Sequence, residues 1–250
     1  MNGVLVRIGT FLFRYRNGVF PALMAATVLC LRPRFPAGSY RADLLLDLVG
    51  LAVCLAGQSL RALAVGYVYI KRGGKQQQIW AGRLIQGGLF ACSRNPLYLG
   101  NILIFSGLAL IFSTPLSFAV GVPAVLFIYT CIIRAEEQYL RSKFGAEYDE
   151  YTARVNRWWP AWRGLPQSVR SMVFRWKRVL SKEYGTLFGW MVAALGLRAW
   201  TLYRASATGY RQQVVILLGL LAPLSAAYLT VRALKKAGRL PEEDPATVDA

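Results

Sequence analysis

Residues 87–100 read GGLFACSRNPLYLG and lie in the gap between two long apolar segments. The two glycines, Gly87 and Gly88, open backbone angles closed to other residues and let the chain approach a neighbour or ligand closely. Asn95-Pro96 is a turn-forming pair that places proline near the first position of the next helix. That helix, starting at about Leu97, aims free backbone N–H groups and its positive dipole end back at the turn, which suits a carboxylate. Tyr98 falls at the rim of this helix with its hydroxyl toward water. Taken alone, the stretch reads first as a loop capping a helix, with Tyr98 as a membrane-boundary aromatic.

The surroundings point to a membrane. The chain has 250 residues, 55% of them hydrophobic, and a formal charge of +18. Charges sorted into blocks beside apolar runs are the pattern of spanning helices with basic flanks. The basic excess does not indicate nucleic acid, because no nucleic-acid-binding motif accompanies it. Cys30, Cys54, Cys92 and Cys131 form no CxxC pair and read as small buried hydrophobes. Histidine is absent. That excludes a Ser-His-Asp triad and a His general base, and no metal site is expected.

Outward from residues 87–100, the expected architecture is an all-α polytopic bundle of about six transmembrane helices with interfacial helices on one face. Residues 1–16 read as an amphipathic lead on the membrane surface, followed by a retained first span at about 18–31. The second span, about 44–69, contains Asp47, Gln58 and Arg61. A charge there faces a polar partner or snorkels to the interface. The third and fourth spans, about 97–112 and 115–133, form a hairpin around Ser113-Thr114-Pro115, with Pro123 kinking the fourth. Residues 168–182 read as an interfacial helix with Trp176 and Val179 on its apolar face. Two more spans follow, at about 187–200 and 214–233. The organisation expected is a core over 1–166, an added segment over 167–238, and a disordered acidic tail over 239–250.

Assigning the N-terminus to the cytoplasm puts 23 of the 30 Lys and Arg residues on that side and five on the other. This is a strong positive-inside signal and places both termini in the cytoplasm. It also brings two polar segments, 71–95 and 134–160, to one face. The second reads RAEEQYLRSKFGAEYDEYTARVNRWWP from Arg134 to Pro160. Glu136 and Glu137 either begin a solvated helix, complementing its dipole, or turn one carboxylate inward. Inward, it would hold an ammonium or sulfonium group or take a proton from an acceptor. The stripe of Phe144, Tyr148 and Tyr151 reads first as packing.

Together, SRNPLYLGN at 93–101, a hairpin of two spans, and AEEQYLRSKFGAEYDEYTARVNRWWP at 135–160 resemble a membrane methyltransferase family. It is the family of isoprenylcysteine carboxyl methyltransferase and the phospholipid methyltransferases. The family pattern is Arg-His-Pro-x-Tyr-x-Gly, then Glu-Glu, then Phe-Gly-x-x-Tyr-x-x-Tyr and a basic stretch ending in Pro. Gly57-x-x-x-Arg61 fits it too. The resemblance implies S-adenosylmethionine as donor and a membrane lipid or other hydrophobic molecule as acceptor. It implies cofactor contacts from Gly82, Arg83, Leu84, Ile85, Phe90, Asn95, Pro96, Leu97 and Tyr98. It implies that Glu136, with Arg134 or Glu137, faces the acceptor or the cofactor's amino group, Glu136 and Glu137 being the candidate catalytic carboxylates. One position departs: Asn95 stands where the family has His. Asn can hold a ligand by hydrogen bonds but cannot act as a base near neutral pH.

Two other functions fit parts of the pattern. NADPH-dependent membrane sterol reductases share a similar C-terminal pattern. They carry Arg-Asp-Glu and Lys-Tyr-Gly where this chain has Ala-Glu-Glu and Lys-Phe-Gly. A non-catalytic membrane protein retaining the fold is the third reading, to which Asn95 lends weight.

Overall fold

The computed structural model describes residues 2–68, 78–162, 165–170, 172–205 and 209–240. The fold is all-α. The helices are α1 (Asn2–Cys30), α2 (Tyr40–Tyr67), α3 (Pro96–Ile111), α4 (Val122–Phe144), α5 (Ala146–Arg154), α6 (Leu165–Val169), α7 (Trp176–Arg204) and α8 (Tyr210–Lys236). The expected disordered tail lies, beyond Leu240, outside the described residues, as does 71–77 of the polar segment.

Among the described residues, three helical stretches are long and apolar enough to cross a membrane: Tyr40–Tyr67, Ser117–Phe144 and Tyr210–Lys236. The expected count of six is not reproduced by that measure. Helix α3 is apolar but has only 16 residues, and the 29-residue α1 and α7 are long but carry no 18-residue stretch that meets that measure. Helix α8 has no buried residue. It leans on α7 through Tyr228, whose ring stacks 4.4 Å from Phe188 and lies 5.2 Å from Tyr184. Its Val215, Ile216 and Leu218 are exposed, as a lipid-facing surface requires.

The centre of the bundle is the antiparallel contact of α2 with α3, and glycine sets it. A Cβ on Gly57 would lie 2.5 Å from the Gly100 carbonyl oxygen, and one on Gly50 would lie 2.6 Å from that of Gly107. The reciprocal distances, from Gly100 to Gly57 O and from Gly107 to Gly50 O, are 2.7 and 2.4 Å. Two glycines seven residues apart on each helix thus let the backbones touch. This is how apolar helices associate where lipid removes the hydrophobic drive between them. Cys54, Ile104, Leu108, Phe112, Trp190 and Leu197 fill the space where α7 joins this pair.

Three expectations are corrected. The surface lead and first span are one continuous helix, α1, whose Gly9 rides on the Cys131 backbone of α4. The segment from Arg134 is no new helix: α4 continues through it to Phe144 and breaks at Gly145, whose φ of 52° favours glycine. Glu136 and Glu137 therefore lie inside a helix, not at its N-terminus. The interfacial helix over 168–182 is absent as such. Helix α6 ends at Val169, residues 172–175 are irregular, and α7 starts at Trp176. Met172 and Phe174 turn inward there, onto Gly87 and Gly66. The reason is an open helix end: the Gly66 carbonyl in the last turn of α2 accepts the Arg175 N–H at 3.0 Å. Ahead of Pro123, residues 117–121 form a π-helical turn, a deformation to be expected where proline removes a backbone donor.

Candidate active site

The stretch at 87–100 and the segment at 134–161 meet at one end of the bundle, and hydrogen bonds stitch them together. The Arg94 N–H donates to Asn156 O at 3.0 Å, and Ala161 N–H donates to Cys92 O at 3.0 Å. The Asn95 side chain donates to Arg157 O at 3.1 Å. The Tyr151 hydroxyl donates to Phe90 O at 2.7 Å. Gln86 donates to Glu147 at 2.9 Å, and the Lys143 ammonium donates to Ala81 O. The break at Gly145 makes this possible, because it folds α5 back so that Tyr148 and Tyr151 are buried against the incoming loop.

The two adjacent carboxylates diverge, as neighbours on a helix must, about 100° apart. Glu136 faces α3 and accepts the Tyr98 hydroxyl at 2.7 Å. Glu137 faces the loop. There it holds Arg157 in a fork, at 2.9 and 2.6 Å, and Arg94 at 3.1 Å. Burial first, then the Glu137 charge, pushes the nearby Tyr148 phenol up to about 12, against an opposing effect of Arg94. Burial likewise raises Cys92 and Arg157 is raised by its bond to Glu137. Tyr148 is thus neutral throughout the physiological range.

Around the Tyr98–Glu136 pair the walls are aromatic. The Tyr129 ring lies 5.1 Å from Tyr98, and Phe20 of α1 stacks on Tyr129 at 4.9 Å. Ile79 and Trp158 pack against the same cluster. At the α3 N-terminus Asn95 is the N-cap residue, but its side chain does not cap the helix. It is turned to Arg157 O instead. The first-turn N–H groups at Leu97 and Tyr98 therefore have no intrahelical acceptor. Beside them the Arg94 Nε is buried without a hydrogen-bond partner.

Residues 45–147 match the phospholipid methyltransferase family. The resemblance drawn from 93–101 and 135–160 is thereby borne out, and the family region runs from the start of α2 to the first residues of α5. A stretch of 72 residues is 36% identical to the protein-S-isoprenylcysteine O-methyltransferase of Saccharomyces cerevisiae, covering 29% of this chain and 30% of that protein. Over 113 residues the chain is 29% identical to probable protein-S-isoprenylcysteine O-methyltransferases of Oryza sativa subsp. indica and subsp. japonica, covering 43% of this chain and 58% of each. The chain thus spans no more than 58% of the length of these curated relatives. No solved structure matches it.

Within the family region the expected site residues separate into groups. Asn95, Pro96, Leu97 and Tyr98 form the α3 start beside Glu136. Phe90 and Leu97 also belong to the cluster of Leu60, Ala64 and Leu89 beneath that start. Gly82, Arg83, Leu84 and Ile85 lie on the irregular strap that Ala81 and Gln86 anchor to Lys143 and Glu147. Arg134 lies two residues before Glu136 and so on another face of α4. The glycines receive a different explanation. Gly88 has φ of 59°, and a Cβ there would lie 2.8 Å from Val68 Cγ2. The close approach they allow is to α2 and Met172. Arg61 does not snorkel. Its side chain is 3% exposed and paired with Glu183 at 2.9 Å. Sequence reading missed Glu183, because nothing local signals that a carboxylate on a later helix reaches α2. The weak signal was Arg61 itself, since a buried cation demands a counter-charge.

Proposed function

We propose that this chain is an integral-membrane methyltransferase, with S-adenosylmethionine as methyl donor and a lipid or other hydrophobic molecule as acceptor. The observation that carries this reading is the Tyr98–Glu136 hydrogen bond at 2.7 Å. It joins the two halves of the family signature at one polar end of an apolar bundle. The residues present fit the donor. Uncapped N–H groups at Leu97 and Tyr98, with the orphaned Arg94 Nε nearby, would receive its carboxylate. Glu136 and the Tyr98 and Tyr129 rings would face its cationic groups. S-adenosylmethionine supplies an electrophilic methyl group on a sulfonium.

The remaining work belongs to the chain. The Tyr98 hydroxyl holds one Glu136 oxygen and so fixes the carboxylate's direction. An in-line displacement gains most from such alignment. A carboxylate or thiolate acceptor loses no proton in the step. An amine acceptor does, and Glu136 would then take it. Glu137, committed to two guanidiniums, serves in this reading as the clamp that keeps 94 and 157 together. Asn95 acts as a tether and not as a base. The acceptor enters from the bilayer, and the site end lies with both termini in the cytoplasm. A reporter fused after Ala250 should therefore read as cytoplasmic.

The test is calorimetric titration of the purified protein in detergent with S-adenosylmethionine and, separately, NADPH. Saturable binding of the first alone is expected. Folded protein that binds NADPH, or neither, refutes the assignment.

A further inference from the structure

Arg61 is a cation enclosed by the bundle. Its Nη1 donates to the Leu97 carbonyl at 3.3 Å and to Asn101 Oδ1 at 2.5 Å, both on the first two turns of α3. Gly100 leaves room for this, since a Cβ there would lie 2.5 Å from Arg61 Cγ. Within residues 45–147 those partners are neutral. The counter-charge comes from α7, beyond the family region. Nε and Nη2 donate to the two Glu183 oxygens at 2.9 and 3.0 Å, and Nη2 also reaches Thr186 Oγ1 at 3.3 Å. Gln58 donates to Glu183 at 3.1 Å and accepts the Trp190 indole N–H at 3.1 Å. The Arg61 and Glu183 side chains are 3% and 4% exposed.

At the opposite end the same two helices pair again with the charges exchanged. Asp43, fully buried, and Asp47 of α2 hold Arg198 of α7, the latter at 3.0 Å. Ser113 of the α3–α4 turn donates to Asp43 at 2.5 Å. Two oppositely signed pairs fix both the direction and the register of α7 on α2. A slip in either sense would bury a charge without its partner. Without α7, Arg61 would face only the α3 carbonyl and amide.

We infer that Glu183 is a positioning residue of the cofactor site: it fixes Arg61, and Arg61 in turn holds the first turns of α3, where Leu97 and Tyr98 lie. The added C-terminal helix is then a component of the site and not an appendage. The role of those turns rests on the methyltransferase reading above, but the mechanical claim does not.

Hydrogen–deuterium exchange on the full chain in detergent tests it. The variants are Glu183→Gln, which keeps hydrogen-bonding atoms but loses the charge, and Thr186→Val, a milder one. Asp43→Asn is the control at the other end. Peptides covering 95–101 should exchange about tenfold faster in Glu183→Gln, less so in Thr186→Val, and unchanged in Asp43→Asn. S-adenosylmethionine affinity should fall by roughly tenfold or more in Glu183→Gln and stay at the wild-type value in Asp43→Asn. Unaltered exchange at 95–101, or equal loosening along the whole chain in both variants, overturns the inference. Selective loosening at 95–101 in a protein whose wild type does not bind S-adenosylmethionine supports the inference while removing the proposed function.

Discussion

Replacing Gly57 with alanine tests how the α2–α3 contact serves the site. The new Cβ would lie 2.5 Å from the Gly100 carbonyl oxygen and 2.9 Å from Leu103 Cβ. Backbone cannot rotate away as a side chain can. To reach an ordinary contact near 3.4 Å, α3 must move off α2 by roughly 0.9 Å, an overpacking worth about 1–3 kcal/mol. The shift falls at Gly100, two residues from Tyr98. Carried into the 2.7 Å Tyr98–Glu136 bond, it stretches that contact to about 3.6 Å, beyond the reach of a hydrogen bond. Misplacement on this scale costs up to about a hundredfold in rate. Gly50→Ala is the matched comparison, with its Cβ 2.6 Å from Gly107 O at the far end of the same interface. Both variants should unfold at a lower temperature in detergent, by similar amounts. Gly57→Ala alone should lose S-adenosylmethionine binding by calorimetry. If Gly57→Ala binds as tightly as Gly50→Ala at equal loss of stability, the helix contact does not set the site.

Other perturbations separate the roles of neighbouring groups. Tyr98→Phe and Glu136→Gln should each lower methyl transfer by about a hundredfold or more with the fold retained, as judged by monodisperse elution; two fully active variants would place the site elsewhere. Glu137→Ala leaves Arg94 and Arg157 without their carboxylate. Because Arg157 is 31% exposed at its side chain and Glu137 16%, the cost is about 1–3 kcal/mol and not that of a fully buried pair. It should show as faster proteolysis between 154 and 162. Tyr148→Phe should remove a phenolate transition near pH 12 from the ultraviolet titration. The sign follows from the raised value. A phenol that ionises near 10 when unfolded and near 12 when folded stabilises the fold below pH 10. That contribution fades as pH rises from 10 to 12.

Much of this was legible along the chain. Apolar runs long enough to span a bilayer, separated by Gly, Pro and charge, gave the all-α class and placed α2, α3 and α8 to within a few residues. The ordered signature at 93–101 and 135–160 marked the site, and the charge distribution put both stretches on one face. Boundaries failed where local pattern and helix geometry disagree. Composition changes at Arg134, but nothing there stops a helix. What stops it is Gly145, eleven residues later, where the backbone takes φ of 52°.

Which groups face each other was not legible, because that depends on helix rotation and register. Glu136 and Glu137 are identical in sequence terms, yet a rotation of about 100° gives one to Tyr98 and the other to Arg94 and Arg157. Gly50 and Gly57 show only a spacing until α3 presents Gly107 and Gly100 opposite them. Arg61 announces in the sequence that a partner must exist, since a cation cannot be buried alone. Only the packing of α7 against α2 names it as Glu183. The sequence by itself determined the membrane helices and the chemistry available at one end of them. The tertiary structure decided which carboxylate meets which partner, because that is fixed by long-range contacts no local pattern encodes.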